Sequence, residues 1–188
     1  MYPYSFLLRR NRLKLFFYDV DPDYVTYLKN IEKNKRGFTR VPNVIYNNER
    51  KMVCGIVLEI AEYKYYVPIS SYKKQQNNNI LIKLNDDKYN QVKGSLRFNY
   101  MFPIHDKYIK KREFNESKSM GRKEFLRRQW VYCNLIIDEI REMANKTYQE
   151  VVNGNDKILQ NASCDFKLLE KAADEYEFRK GEPTCQNN

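Results

Sequence analysis

Between Gly55 and Lys74 the chain reads GIVLEIAEYKYYVPISSYKK, and its apolar positions alternate. Cys54, Ile56, Leu58 and Ile60 share one side of a first run; Tyr65, Val67 and Ile69 share one side of a second. A period of two means one buried face per strand, so the pattern predicts strands over 52–60 and 64–70. Pro68 lacks the N–H that a central strand needs, and it marks an edge or a strand end. The connecting Ala61-Glu62-Tyr63 holds no glycine, which predicts a turn longer than the two-residue primed type. The second strand runs into Ser70, Ser71, Lys73 and Lys74, setting hydroxyls beside cations at the end of a rigid hairpin. That grouping suits phosphate chemistry. Spacing alone is equally consistent with a polar, solvated exit loop whose serines satisfy backbone groups.

The flanking segments predict further elements. Asp21 can cap a helix with Pro22 at its first position, Tyr24, Val25, Tyr27 and Leu28 supply apolar spacing, and Gly37 ends it. Residues 38–50 are a polar loop and 75–79 (QQNNN) another. Residues 80–84 and 94–104 read as strands, with a turn at Asn85-Asp86-Asp87. From Ser119 the period changes. Phe125, Leu126, Gln129, Tyr132, Cys133, Ile136, Ile137, Ile140 and Met143 follow a three-four spacing that runs to Val152 and stops at Asn153-Gly154-Asn155. Ser119 with Arg122 and Lys123 makes a poor capping box. A last helix, about Phe166 to Phe178, follows Ser163 or Asp165 as its cap. Helix, sheet, then long helices imply an α+β chain with helices packed on a twisted antiparallel sheet.

Length and charge narrow the class. The 188 residues suit one domain over the whole chain, with 1–14 an unexplained N-terminal arm and 181–188 a frayed tail. The formal net charge of +10 and a pI near 9.3 point to a polyanionic partner. Residues 105–128 carry nine Lys/Arg against four Asp/Glu, and residues 145–188 carry six against eight, which suggests a localised binding face. Sixteen tyrosines offer planes for stacking unpaired bases, though most must serve the core. The cysteines at 54, 133, 164 and 185 form no CxxC and there is one histidine, so no metal site or cofactor is legible. Cys54 and Cys133 fall on apolar faces and read as reduced core residues. No run of 18 apolar residues exists to span a membrane, and the broken apolar start is no signal peptide. A cytoplasmic protein is expected.

The hairpin resembles the core of the ToxN/AbiQ/CptN family, endoribonuclease toxins of type III toxin–antitoxin systems. Its pattern stands here as Gly55-Ile56-Val57-Leu58, Lys64-Tyr65-Tyr66-Val67-Pro68, Ser70-Ser71, Tyr72 and Lys73. Tyr24-Val25-Thr26-Tyr27-Leu28-Lys29 looks like the family's YxxYL(K/R) helix, Tyr100-Met101-Phe102-Pro103-Ile104 like its F-M-(I/F)-P-(I/V) strand, and Cys164-Asp165-Phe166-Lys167-Leu168-Leu169-Glu170 like its CxFxLLE close. The matches are collinear from about Phe16 to Tyr176. The resemblance implies a compact, barrel-like sheet of the Kid/MazF type. It also implies a metal-independent RNase in which the substrate's 2′-hydroxyl attacks, leaving a 2′,3′-cyclic phosphate and a 5′-hydroxyl.

On that reading Ser71 and Lys73 are catalytic, with Ser70 and Lys51 beside them. Lys73 would stabilise the phosphorane and, if partly buried among cations, shuttle a proton. Ser71 would hold a non-bridging oxygen or the 2′-hydroxyl. Lys64 reads as surface and His105 as incidental. Where the family often carries Trp and His after the lysine, this chain has Lys74-Gln75-Gln76, which suggests an altered RNA preference. The implied partner is an antitoxin RNA of repeated pseudoknots, processed by the toxin and bound in a closed toxin–RNA assembly, with cellular or phage RNA as substrate. Candidate RNA contacts are Lys29, Lys33, Lys35, Arg36, Tyr46, Tyr72, Lys74, Lys110, Lys111 and Arg112. The alternative is a non-catalytic RNA- or DNA-binding protein on the same scaffold.

Overall fold

The structure, a computed structural model, describes residues 14–46, 49–86, 89–116 and 119–181. In chain order these form β1 (Phe16–Val20), α1 (Pro22–Arg36), a small hairpin of β2 (Ile45–Tyr46) and β3 (Glu49–Arg50), β4 (Val53–Ile60), β5 (Tyr63–Ser70), β6 (Asn79–Asp86), β7 (Tyr89–Arg97), β8 (Phe102–Pro103), β9 (Ile109–Lys111), α2 (Met120–Leu135), α3 (Ile137–Asn153), α4 (Lys157–Ala162) and α5 (Phe166–Gly181). The larger sheet has seven strands in the order β6-β7-β5-β4-β1-β9, with β8 also paired to β5, and every pair is antiparallel. It is not closed into the expected barrel: β6 and β9 each pair on one side only among the described residues.

The central strand explains the proline. β5 pairs with β4 along one edge, while on the other it meets β8 at Tyr65 and Tyr66 and then β7 at Ile69 and Ser70. Pro68 sits where that second edge changes partner. Of the two expected placements, an edge or a strand end, the edge is corrected: Pro68 lies near the end of a central strand, and its missing N–H is tolerated where the ladder is interrupted. The β4–β5 turn is also tighter than expected. Ile60 pairs with Tyr63, leaving Ala61-Glu62 as a two-residue turn in which Ala61 adopts φ +51 without glycine.

Helix α1 matches its sequence signals. The Asp21 carboxylate accepts from the Asp23 and Tyr24 amides, and Gly37 closes the helix in the left-handed region at φ +79. The apolar period from Ser119 to Val152 is divided, because Ile136 leaves helical geometry (φ −109, ψ 28) between α2 and α3. The spacing runs on through the break because both halves face the core. Ser119 makes no side-chain cap bond. Residues 94–104 are likewise two strands, separated by a 3₁₀ turn over Phe98–Tyr100. Asp165 caps α5, its carboxylate accepting from the Leu168 amide at 3.1 Å. The sequence reading did not anticipate β1, β9 or α4; the expected 38–50 loop contains the β2–β3 hairpin, and Asn85-Asp86 of the expected turn belong to β6. Asp87, residues 1–13, the tail 182–188 and Cys185 lie outside the described residues.

The four collinear motifs meet in the core. Tyr24 of α1 donates its hydroxyl to the Pro103 carbonyl at 2.8 Å. Tyr65 of β5 and Tyr148 of α3 both donate to the Glu170 carboxylate of α5, at 2.8 and 2.7 Å. A Cβ at Gly55 would lie 2.2 Å from the Tyr66 ring, so the first glycine of GIVL is demanded by the tyrosine of the neighbouring strand. Cys54, Cys133 and Cys164 are free and buried.

Glu32 ties α1 to the α4–α5 connection. It is fully buried and accepts from the Thr39 hydroxyl, the Arg40, Val41 and Asp165 amides and the Arg36 guanidinium. Burial pushes its carboxyl up, but these donors outweigh burial and hold it below the ordinary value.

Candidate functional site

The hairpin delivers Ser70 to the middle of the sheet, at the end of β5. On one flank Val53 pairs with Pro68 and the Ile69 amide donates to Met52, which sets Lys51 beside the strand end. On the other flank Ser70 pairs with Ser95 of β7. Two cavities adjoin here, of about 190 and 320 Å³, and they share Lys51, Met52, Ile69 and Ser70. Together they form one groove. The smaller half adds Asn43, Val44, Arg97 and Tyr100; the larger adds Arg50, Ser71, Lys93 and, from α2, Arg122 and Phe125. Among the described residues lining it, every charged side chain is Lys or Arg and none is Asp or Glu. Such a lining favours an anion, because low-dielectric walls focus the summed positive field.

The loop after Ser70 is held from below by side chains. The Ser70 hydroxyl accepts from the Tyr72 amide at 3.1 Å, and the Ser95 hydroxyl donates to the Tyr72 carbonyl at 2.8 Å. Buried Asn79 donates to the Lys74 carbonyl at 2.9 Å and accepts from the Gln76 amide at 2.8 Å. Gly94 lets β7 approach: a Cβ there would stand 2.6 Å from the Ser70 carbonyl oxygen. The loop exposes Ser71, Lys73 and Lys74.

Of the residues expected to be catalytic, Ser70, Ser71 and Lys51 line the groove, and Lys73 stands beyond it, exposed on the loop. The partial burial that a proton-shuttling Lys73 required is absent. Among the expected RNA contacts, Tyr72 lies next to the groove with the Arg97 guanidinium 4.9 Å from its ring centroid. Lys29 donates to Asn43 at the rim of the smaller cavity. Lys33 and Lys35 are exposed on the last turn of α1, and Lys110 and Lys111 on β9 at the far edge of the sheet. Arg36 and Arg112 are engaged within the fold. Arg36 binds Glu32 and the Ser163 and Gln160 carbonyls, while Arg112 grips Asp19 through Nε and Nη2 at 3.1 and 2.6 Å. Tyr46 lies in β2, and its side chain is outside the described residues. Lys64 pairs with Asp106 at 2.5 Å and, with His105, lines a separate cavity around Glu62 and Tyr63.

Sequence reasoning missed Arg50, Lys93, Arg97 and Arg122, and the supporting Asn79, Gly94 and Ser95. A signal did exist. Lys93, Ser95 and Arg97 alternate along β7, and all three reach the site. A lone glycine beside them in a strand marks a close backbone approach. Among the described residues no three His, Cys, Asp or Glu side chains converge as metal ligands, and no helix is long and apolar enough to cross a membrane.

The chain is similar to known proteins over most of its length. Endoribonuclease AbiQ of Lactococcus lactis subsp. lactis is 26% identical over 175 residues, covering 88% of this chain and 91% of AbiQ. Endoribonuclease ToxN of Bacillus thuringiensis subsp. kurstaki is 25% identical over 171 residues, 87% of this chain and 84% of that protein. The fold matches the solved structure of AbiQ, a lactococcal anti-phage endoribonuclease, with TM-score 0.74 at 24% identity, covering 88% and 99% of the two chains. It also matches a chain from a bacterial type III system in which a non-coding RNA pseudoknot selectively inhibits the toxin, with TM-score 0.75 at 22% identity and coverage of 88% and 99%. A family profile described as toxin ToxN, type III toxin–antitoxin system, matches residues 16–174. This chain belongs to the ToxN toxin family of type III toxin–antitoxin systems.

Proposed function

We propose that the protein is a metal-independent endoribonuclease toxin that cuts RNA through attack of a 2′-hydroxyl on the adjoining phosphorus. The observation that carries this reading is the groove at the end of β5, where two serines join a lining whose charged side chains, among the described residues, are all cations. Attack at phosphorus builds negative charge on the non-bridging oxygens, and fixed donors and cations lower the barrier by meeting that charge where it develops. Lys51, at the rim beside Ser70, acts as a fixed charge. Ser71 holds a non-bridging oxygen or the 2′-hydroxyl. Lys73 supplies a mobile ammonium with three donors from the loop above. The lysine and arginine cations repel a divalent ion, and with the hydroxyls they form a donor set that suits the oxygen acceptors of phosphate.

The same groove and the exposed lysines of α1 and β9 would hold the antitoxin, a folded RNA of repeated pseudoknots cut from its precursor by the toxin itself. AbiQ's anti-phage role makes phage defence the expected setting, and action on cellular or phage RNA would be cytoplasmic.

The test is cleavage of total RNA by purified protein in excess EDTA, with the product ends identified. Cutting should continue, leave 2′,3′-cyclic phosphate and 5′-hydroxyl ends, and stop when the cleaved nucleotide carries a deoxyribose. A 5′-phosphate product, or a requirement for added magnesium, rejects the 2′-hydroxyl mechanism. Binding without cutting in any buffer favours a non-catalytic RNA-binding protein.

A further inference from the structure

Arg97, at the end of β7, is held in an unusual way. Its guanidinium carbon lies 4.9 Å from the Tyr72 ring centroid and 4.3 Å from that of Tyr100. Nη2 donates to the Gln76 amide oxygen and the Tyr100 hydroxyl, both at 3.2 Å, and Nε is buried without a partner. No carboxylate pairs with it among the described residues. The half-buried Arg36 and Arg112, by contrast, each have one within 2.8 Å. Two aromatic faces and neutral acceptors orient a guanidinium while leaving its charge unneutralised. That charge lines the smaller half of the groove, whose shared wall carries Lys51, Met52 and Ser70 and whose remaining lining includes the apolar Pro42 and Val44.

We propose that Arg97 is a positioning residue that clamps the phosphate next to the one being cut, and that the smaller cavity receives an unpaired nucleotide with its base against Tyr100 and the apolar part of the lining. The inference rests on the groove being the RNA site. The chemistry recognised is that of single-stranded nucleic acid, because an unpaired base enters a cavity of about 190 Å³ without the unpairing and unstacking cost that a duplex base must meet. The larger half, with Arg50, Lys93 and Arg122, lies on the other side of Ser70 and takes the backbone there. Ser70 thus separates the two halves of the strand's path.

The experiment is fluorescence anisotropy of a labelled, mixed-sequence 2′-O-methyl RNA decamer at several salt concentrations. Arg97→Gln is expected to weaken binding about tenfold, the size of one charge-assisted contact, and to lower the slope of log affinity against log salt by about 0.7, one single-strand phosphate. Arg97→Lys keeps the charge and should keep the slope. A folded Arg97→Gln protein, with unchanged melting and an unchanged slope, reduces Arg97 to a strut for the loop and overturns the proposal. If Arg97→Gln does not fold, the native protein decides. The arginine Nε–H NMR signal missing from the Arg97→Lys spectrum should shift when the decamer binds, and a signal that stays put overturns the proposal. In cleavage of an all-ribose oligonucleotide, Arg97→Gln should raise KM with kcat within a few-fold of native. A native protein that binds the decamer but cuts no RNA defeats the nuclease reading while the salt slope still judges Arg97.

Discussion

At Gly94 one missing methyl group decides where the loop after Ser70 stands. A Cβ there would lie 2.6 Å from the Ser70 carbonyl, a backbone atom that cannot rotate away. Gly94→Ala is therefore expected to move Ser70 and Ser71, with about 1–3 kcal/mol of overpacking strain and a large loss of RNA cleavage. Gly121→Ala is the control: its nearest atom is the Ser119 hydroxyl at 3.8 Å, so melting and cleavage should hold or improve slightly. Ser71 and Lys73 are exposed and support nothing in the core, so Ser71→Ala and Lys73→Ala should fold normally. Each should cost about 10²–10³ in rate, as for a lost donor at a charged transition state. Toxicity and single-turnover cleavage measure this, and a folded Lys73→Ala protein that still arrests growth removes Lys73 from the mechanism. The serines and the lysine were legible because they sit together in the chain. Arg97 and Lys93 were not, since they reach Ser70 only through the β5–β7 register.

At the scale of elements, α1 depends on a buried carboxylate. Glu32, itself fully buried, gathers Thr39, Arg36 and three backbone amides. Glu32→Gln should cost about 3–5 kcal/mol, because it leaves Arg36 and surrounding donors without their anion. The sign with pH follows from the lowered carboxyl. Its contribution is complete above the ordinary value of 4.5 and is lost as pH falls through the lower folded-state value. The stability gap between native and variant, from urea melts at a series of pH values, should thus be constant at neutral pH and narrow in acid. A gap that widened in acid would contradict the assignment. α1 itself was readable from Asp21, Pro22 and Gly37, because caps are local. The break at Ile136 was not, since both helices keep an apolar face toward the core across it.

Over the whole molecule, exposed cations gather at more than one place among the described residues: in the groove, on the last turn of α1 and on β9. β9 is the third strand from β5, roughly 14 Å across the sheet at the usual strand spacing. Lys110 and Lys111 are exposed there, with the Lys111 ammonium 3.8 Å from the Phe16 ring centroid. If this edge holds the antitoxin, Lys110→Glu with Lys111→Glu should weaken antitoxin binding and flatten its salt dependence by about two phosphate contacts. Turnover of a short oligonucleotide should stay unchanged, because β9 is remote from Ser70. Arg112 is left intact, since breaking its pair with Asp19 would loosen the β1–β9 edge. Unchanged antitoxin affinity in the double variant moves the interface to Lys33 and Lys35 of α1.

The sequence by itself determined what depends on neighbours in the chain: the hairpin, the capped helix, the hydroxyl–lysine cluster and the order of motifs. It also determined the net charge, which points to a polyanionic ligand. Tertiary structure decided what depends on distant segments. Only the sheet order shows that β5 is central and that Pro68 falls at a change of partner. Only packing shows that Gly55 makes room for Tyr66 and Gly94 for Ser70. Arg36 and Arg112, basic in the sequence, are internal ties in the fold, while Arg97 is left with its charge facing a groove. A cation's role depends on whether a carboxylate lies within reach, and contacts between residues tens of positions apart are fixed by strand register and packing, not by composition.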